Sequence, residues 1–334
     1  MIPIDKTQTL RLGKLSVPAV GVGTWQWGET TYWGGRSKTQ SVQDAEGAYL
    51  ESRAEGLSFF DTAEYYSNGF SESLLGRFIN EHHERSDVVI ATKFWTPFRL
   101  SARALPRALE RSLDRLGVGV VDLYQIHWPV PWMRIEDQMD AMADMVRAGR
   151  IRMIGVSNFS ARQMRIAVKQ LEKHRLKLTS NQVEYNLLKR DVETNGVLEF
   201  CRNLDIRLIA YSPLAQGVLT GKYHRLEGQT LTRPGGLRRF MRGFSAGQLA
   251  RSANLIHVLQ EIGAARGKSA AQVALNWLVM RGTLPIPGAR NAEQAGHNAG
   301  ALGWRLSQGE FEWIDHVSAG RSKPISTSWN PEVS

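Results

Sequence analysis

VVIATKFWTPFRLSARALPRALERSLDRLGVGVVDLYQIH, residues 88–127, carries the pattern that decides the fold. It opens on a short apolar run, VVIATK (88–93), and closes on another, VDLYQIH (121–127). Between them Leu105, Leu109, Leu113 and Leu116 recur at helical spacing, so the stretch reads strand, helix, strand. A helical connection of this kind returns as a right-handed crossover and leaves its two strands parallel.

The same unit recurs on both sides. AVGVG (19–23), LSFFD (57–61), MIGVS (153–157), TSNQV (179–183), RLIAYS (207–212) and TLPIPG (283–288) bring the expected strands to eight. Ser160–Gln163, Ser269–Gln272 and Ser307–Glu310 have capping-box spacing and mark helix starts. Eight such units in 334 residues fit one closed (β/α)8 TIM barrel better than an open sheet, with residues 1–334 as a single domain. Within 8–20, TLRLGKLSVPA reads as a two-strand hairpin turning at Gly13-Lys14 and plugging the barrel floor. Residues 246–266 and 307–319 read as extra helices. Residues 217–246 form the longest stretch without strong periodicity and are a candidate lid.

Composition narrows the function. A formal charge of +10 attracts anions, but the basic residues are spread along the chain, with one local run at Arg233 to Arg242. That run is explained by a solvated lid, so nucleic acid is not the expected partner. The single cysteine, Cys201, excludes an internal disulfide and fits a reducing compartment, for which the cytoplasm is the expectation. No window approaches the roughly eighteen apolar residues of a spanning helix, so no membrane role is expected. The eight histidines show no metal-ligand spacing, and no metal is expected. GVGTWQ has Gln26 where a dinucleotide fingerprint needs its third glycine, and GVLTGKY lacks P-loop spacing.

Barrel active sites are built at the C-terminal strand ends, and an unusual polar set falls there. Thr24 follows the first strand, Asp61 ends the second, Lys93 the third and His127 the fourth. Ser157 and Asn158 end the fifth, Gln182 lies on the sixth and Tyr211 on the seventh. Buried charges must be paired, so Asp61 and Lys93 are expected to form a salt bridge. Its ammonium would lie near Tyr65 and Tyr66 on the loop after Asp61 and lower a tyrosine pKa, producing a general acid. His127 could orient the same carbonyl; a satisfied barrel histidine is the alternative. Tyr211 with Asn158 and Gln182 suits a planar ring bearing a carboxamide, which nicotinamide is. IPGARNAEQAGHNAG opens a helix near Asn291, and with Arg290 it makes an anion site that leans towards NADP over NAD. Trp25, Trp27, Trp33, Trp95, Trp128 and Trp132 lie near strand ends and are candidates for an aromatic substrate pocket or for loop packing.

In order along the chain, VGVGTW, FDTAEYYSNGFSESLLG, VIATKF, DLYQIHWP, IGVSNF, NQVEYNLL, AYSPLAQGVLTGKY and IPGARNAEQAGHNAGAL resemble the aldo-keto reductase superfamily, on the bacterial and plant side that is similar to potassium-channel β subunits. The resemblance implies a catalytic tetrad of Asp61, Tyr66, Lys93 and His127, the five-residue spacing from Asp61 selecting Tyr66 over Tyr65. It implies NADPH (NADP+) as cofactor, with NADH less favoured, bound without a dinucleotide-binding fold. Ser157, Asn158 and Gln182 would meet the carboxamide, Tyr211 the nicotinamide face, and Ser212, Pro213, Leu214, Gln216 and Gly217 the pyrophosphate. Arg290, Gln294 and Asn298 would surround the adenosine end, and Gly23, Thr24, Trp25, Asp61, Lys222 and Gly288 complete the cofactor contacts. Trp25, Trp33, Trp95 and Trp128 form the expected substrate pocket.

The implied activity is reduction of a small-molecule aldehyde or ketone; a redox-sensing regulatory subunit with little turnover is the alternative. An oligomer is compatible with the sequence. Three features depart from the family pattern: Ser67 where glycine is commoner, ETTYWGGRSK in the first loop, and Gln294 where other branches carry arginine. Glu64 reads as a solvated or loop-fixing charge, and Tyr65 as packing or rim.

Overall fold

In residues 88–127 successive strand side chains take opposite sides, as a period of two requires. Ile90 and Phe94 pack outward into the core beneath the helices, while Ala91 faces the barrel interior. Tyr124 and Ile126 likewise point outward and Leu123 inward. The same alternation turns Lys93 and Gln125, paired in register, towards the interior.

The computed structural model describes residues 8–29, 32, 37–224, 234–236 and 242–319. An antiparallel hairpin, β1 (Thr9–Leu12) and β2 (Leu15–Pro18), turns at Gly13, whose φ of 56° suits glycine. Eight parallel strands follow: β3 (Val22–Gly23), β4 (Phe59–Asp61), β5 (Val89–Phe94), β6 (Val121–Ile126), β7 (Ile151–Ser157), β8 (Leu178–Glu184), β9 (Arg207–Tyr211) and β10 (Leu284–Pro285). They neighbour one another in chain order. The sheet closes on itself where Gly21 and Gly23 donate backbone hydrogen bonds to Pro285 (2.9 Å) and Pro287 (3.0 Å). This is the expected TIM barrel, and each strand forms within the run anticipated for it or a residue or two beyond.

The helices are α1 (Lys38–Ala54), α2 (Phe70–Glu81), α3 (Leu105–Leu116), α4 (Ile135–Arg147), α5 (Ala161–Lys173), α6 (Val197–Asn203), α7 (Ala246–Ala265), α8 (Ala270–Met280), α9 (Ala292–Ala299) and α10 (Gln308–Ser318). The leucine stripe of α3 is buried along its length, each side chain worth about 1.5–3 kcal/mol as an upper estimate. All three anticipated capping boxes form, at the starts of α5, α8 and α10.

Two layers fill the barrel. Leu12 and Val17 of the hairpin meet Phe59, Ala91, Leu123, Ile209 and Leu284 as an apolar floor. Above it, one pleat further along the strands, Asp61, Lys93, Gln125 and Gln182 form a polar layer. At the start of the candidate lid, Val218, Leu219, Tyr223 and His224 are buried. Residues 225–233 and 237–241, with most of the arginine run, lie outside the described residues, as does Trp33. Among the described residues no helix is long and apolar enough to cross a membrane.

Candidate active site

The polar layer is organised by one ammonium group. Lys93 is fully buried, and its Nζ donates to the Asp61 carboxylate, the Thr62 carbonyl (2.8 Å) and the Tyr66 hydroxyl (3.1 Å). Three donors thus meet three acceptors. The second oxygen of Asp61 accepts from Gln125 Nε2 (3.1 Å) and Gln182 Nε2 (2.8 Å), so neither buried charge is left unmatched. Gln125 was not singled out in the sequence because it lies inside a strand; its parity with Leu123 marks it as inward-facing.

The electrostatics differ from expectation at the tyrosine. Burial pushes the Tyr66 phenol up, Lys93 pulls it down, Asp61 pushes it up again, and the net position is above the ordinary value. Desolvation therefore outweighs the ammonium, and Tyr66 stands protonated at neutral pH. Burial also works against the charge on Lys93, but Asp61 and then Tyr66 outweigh it and hold the ammonium above its usual value. His127, 8% exposed, is held well below the ordinary histidine range, first by burial and then by Lys93. It is a neutral imidazole. Its ring stands edge-on to Tyr66 (centroids 5.8 Å apart) and to Trp95 (5.1 Å).

The loop after β4 accounts for Ser67. Ser67, Asn68 and Gly69 are consecutive left-handed residues with φ of 50°, 55° and 86°, a turn in which glycine is the unstrained choice. Ser67 adopts it and donates from Oγ to the Trp27 carbonyl at 3.3 Å. Tyr65 takes a different route from its neighbour: it is 51% exposed and stacks on Trp95 at 3.9 Å.

Tyr66 and His127 lie in the wall of a cavity of about 730 Å³ at the C-terminal end of the barrel, within the size range of small-molecule sites. Trp25, Trp95 and Trp128 line it, joined by Tyr32 and Tyr65. Trp27 does not: it is 1% exposed, with Nε1 donating to the Ala289 carbonyl (2.8 Å), and belongs to the core. Nor does Trp132, which sits outside the wall and donates to the Arg99 carbonyl (2.9 Å).

Of the expected cofactor contacts, Gly23, Trp25, Asp61, Ser157, Asn158, Gln182 and Tyr211 line the same cavity. Tyr211 donates to Asn158 Oδ1 (3.1 Å), and Asn158 Nδ2 donates to Ser157 Oγ (3.0 Å) and the His127 carbonyl (3.2 Å), which ties the amide group to the residue that follows β6. Ser212, Pro213, Leu214, Gln216, Gly217 and Lys222 form the next part of the wall. Ser212, Ala215 and Gln216 have positive φ, a concentration of strain typical of binding loops, and Gly217 continues the turn without strain. Gly288, Arg290, Gln294 and Asn298 complete it. Asn291 caps α9 by accepting from Gln294 N, while Gln294 Oε1 accepts from Arg290 N (3.1 Å) and so holds the backbone of that arginine against the helix start.

Thr24 is the exception. It is fully buried behind the wall, with Oγ1 bonded to the Asp61 carbonyl (3.1 Å) and to Ser71 Oγ (2.8 Å). Gln26, Glu184, Thr220, Glu293 and His297 line the cavity without having been anticipated. Glu293 and His297 were legible in principle, because the helical period places them beside Gln294 and Asn298 on one stripe of α9.

The donor set fits a dinucleotide. Cations, a helix N-terminus and a strained loop lie at one end, amides beside a tyrosine ring lie between, and the Asp61–Lys93–Tyr66 cluster lies at the other.

The site is thus a buried Asp–Lys–Tyr cluster with an adjoining histidine at the C-terminal end of a closed (β/α)8 barrel. The profile of the Aldo/keto reductase family matches residues 19–319, and the chain belongs to that family. It is 36% identical over 331 residues to the chloroplastic pyridoxal reductase of Arabidopsis thaliana, covering 95% of this chain and 88% of that protein. Among solved structures it is similar to the glycerol dehydrogenase of Gluconobacter oxydans (TM-score 0.80, 26% identity, 97% of this chain and 99% of that one). It is also similar to an aldo/keto reductase from Klebsiella pneumoniae in complex with NADP and acetate (TM-score 0.72, 30% identity, 93% of this chain and 95% of that one).

Proposed function

We propose that the protein reduces an aldehyde or ketone to the alcohol, with NADPH as reductant and Tyr66 as general acid. The observation that carries the reading is the Lys93 ammonium, shared between Asp61 and the Tyr66 hydroxyl at 3.1 Å at the foot of the cavity. When bound, NADPH supplies the hydride that adds to the carbonyl carbon. Tyr66 protonates the carbonyl oxygen, and the electron pair left on its phenolate is stabilised by Lys93 until solvent returns the proton. Neutral His127 orients the carbonyl without competing for that proton. Asp61 holds Lys93 in place and keeps it charged.

Arg290, Lys222 and the start of α9 favour the extra phosphate of NADPH over NADH. The aromatic walls favour a planar or apolar carbonyl compound, and the likeness to a pyridoxal reductase makes pyridoxal the first substrate to test. A reducing compartment, the cytoplasm, is the proposed location. The test is reduced-nicotinamide oxidation over a panel of pyridoxal, methylglyoxal, sugars and lipid aldehydes, with NADPH and NADH in parallel. Tyr66→Phe is expected to keep NADPH binding and to lose turnover by orders of magnitude. Full turnover by Tyr66→Phe overturns the acid assignment; tight NADPH binding with negligible wild-type turnover on every substrate favours a redox-sensing subunit instead.

A further inference from the structure

On the loop after β4, directly before Tyr65 and Tyr66, lies a carboxylate that the reaction does not use. Glu64 is three residues beyond Asp61, and its side chain is 7% exposed. Its backbone N–H donates to the Lys93 carbonyl (3.4 Å), and its Oε1 accepts from the Trp95 backbone N–H (2.7 Å). In a parallel ladder the second of these bonds would go to a backbone carbonyl. Here the side chain replaces it, and the β4–β5 pairing continues one step past the end of the strands.

The second oxygen, Oε2, accepts from Arg99 Nη2 (3.3 Å), and the Arg99 carbonyl accepts from Trp132 Nε1 (2.9 Å). Thr96, between Trp95 and Arg99, donates from Oγ1 to the Trp128 carbonyl (2.6 Å). The loops after β4, β5 and β6 are joined through Glu64 and Arg99. They carry Tyr66, Trp95 and His127, and the Trp95 ring meets both the Tyr65 ring and the edge of His127.

We propose that Glu64 is a positioning residue for carbonyl reduction: it fixes Trp95, and through Trp95 and Tyr65 it sets the His127 ring against the Tyr66 hydroxyl. This inference rests on the assignment of Tyr66 as the acid. Misplacement of reacting groups by about 1 Å can cost about 10²-fold in rate, and Glu64 does not itself line the cavity, so its loss should lower turnover while sparing NADPH binding.

Glu64→Ala removes both side-chain bonds, while Glu64→Gln keeps an acceptor for the Trp95 N–H and removes the ion pair. The readouts are kcat and KM for the best aldehyde of the panel, the NADPH Kd by fluorescence quenching, and the melting temperature, with Tyr66→Phe alongside. Expected for Glu64→Ala is a kcat lowered roughly 10- to 100-fold with Kd within about twofold of wild type, and for Glu64→Gln recovery to within a few-fold. Should Glu64→Ala not fold, Glu64→Gln against Arg99→Met serves: both lose the ion pair and keep an acceptor for Trp95, and both should stay within a few-fold in kcat. The positioning role is overturned if folded Glu64→Ala keeps wild-type kcat, if NADPH binding falls in step with turnover, or if glutamine rescues nothing. Loss of turnover in Tyr66→Phe with full turnover in Glu64→Ala sinks this inference alone; full turnover in Tyr66→Phe sinks the acid assignment beneath it.

Discussion

Replacing Lys93 by methionine tests the centre of the site, and its two consequences can be sized separately. The ammonium lies 3.1 Å from the Tyr66 oxygen, and at an effective dielectric of about 20 a full negative charge there interacts with it by roughly 5 kcal/mol. A transition state with about half that charge on oxygen loses roughly 2.5 kcal/mol, or about 10²-fold in kcat. Stability changes by another route. Asp61 would keep only the amides of Gln125 and Gln182, and stripping one partner from a buried ion pair costs about 3–5 kcal/mol. Changing Asp61 to asparagine in the same chain removes the stranded charge, so the double variant Asp61→Asn/Lys93→Met should be more stable than Lys93→Met alone. Urea unfolding followed by circular dichroism measures the stability, and steady-state aldehyde reduction measures kcat. The reasoning is refuted if the two substitutions destabilise additively, or if folded Lys93→Met turns over within about threefold of wild type.

Two other predictions concern the surroundings of the site. Burial first, aided by Lys93 in the case of His127, holds His127, His224 and His297 below the ordinary histidine pKa, so the folded protein keeps them neutral where the unfolded chain protonates them. Stability should be full above about pH 6.5 and fall as the pH drops below it, by up to about 1.4 kcal/mol per pH unit for His127. Urea midpoints measured from about pH 8 to about pH 5.5 should show this slope, and His127→Gln should flatten it; a flat wild-type profile would contradict the burial argument. At Ser67, glycine should leave stability unchanged or raise it by up to about 1 kcal/mol, since relief of the left-handed strain offsets the weak 3.3 Å bond to Trp27. Valine there should destabilise by about 1–2 kcal/mol, because a β-branched residue tolerates that φ poorly; equal melting temperatures for the two variants would remove strain as the explanation.

How far the site could be read in advance depended on the regularity of the chain at each position. Asp61 ends β4 and Lys93 lies one residue before the end of β5, where a period of two fixes the side to which each residue points. Thr24 and Trp27 follow the two-residue strand β3, where the pleat has ended, and both turn away from the cavity although neighbouring Trp25 lines it. The inward turn of Gln125 followed from the same parity and was obscured only by its lying inside a strand. Glu64 reads in the sequence as either a solvated or a loop-fixing charge, because its two side-chain partners are 31 and 35 residues away.

The barrel, the order of its strands and the ring of polar residues at their ends are legible along the chain, because apolar periodicity and capping are properties of neighbouring residues. Family spacing then singled out Tyr66. Only the tertiary structure separated the adjacent tyrosines physically: the turn through Ser67, Asn68 and Gly69 brings the Tyr66 hydroxyl to Lys93, while Tyr65 stacks outward on Trp95. It also decided the direction of the Tyr66 pKa. That direction is the balance of desolvation against two opposed charges, each dependent on distances between strands that no local pattern encodes.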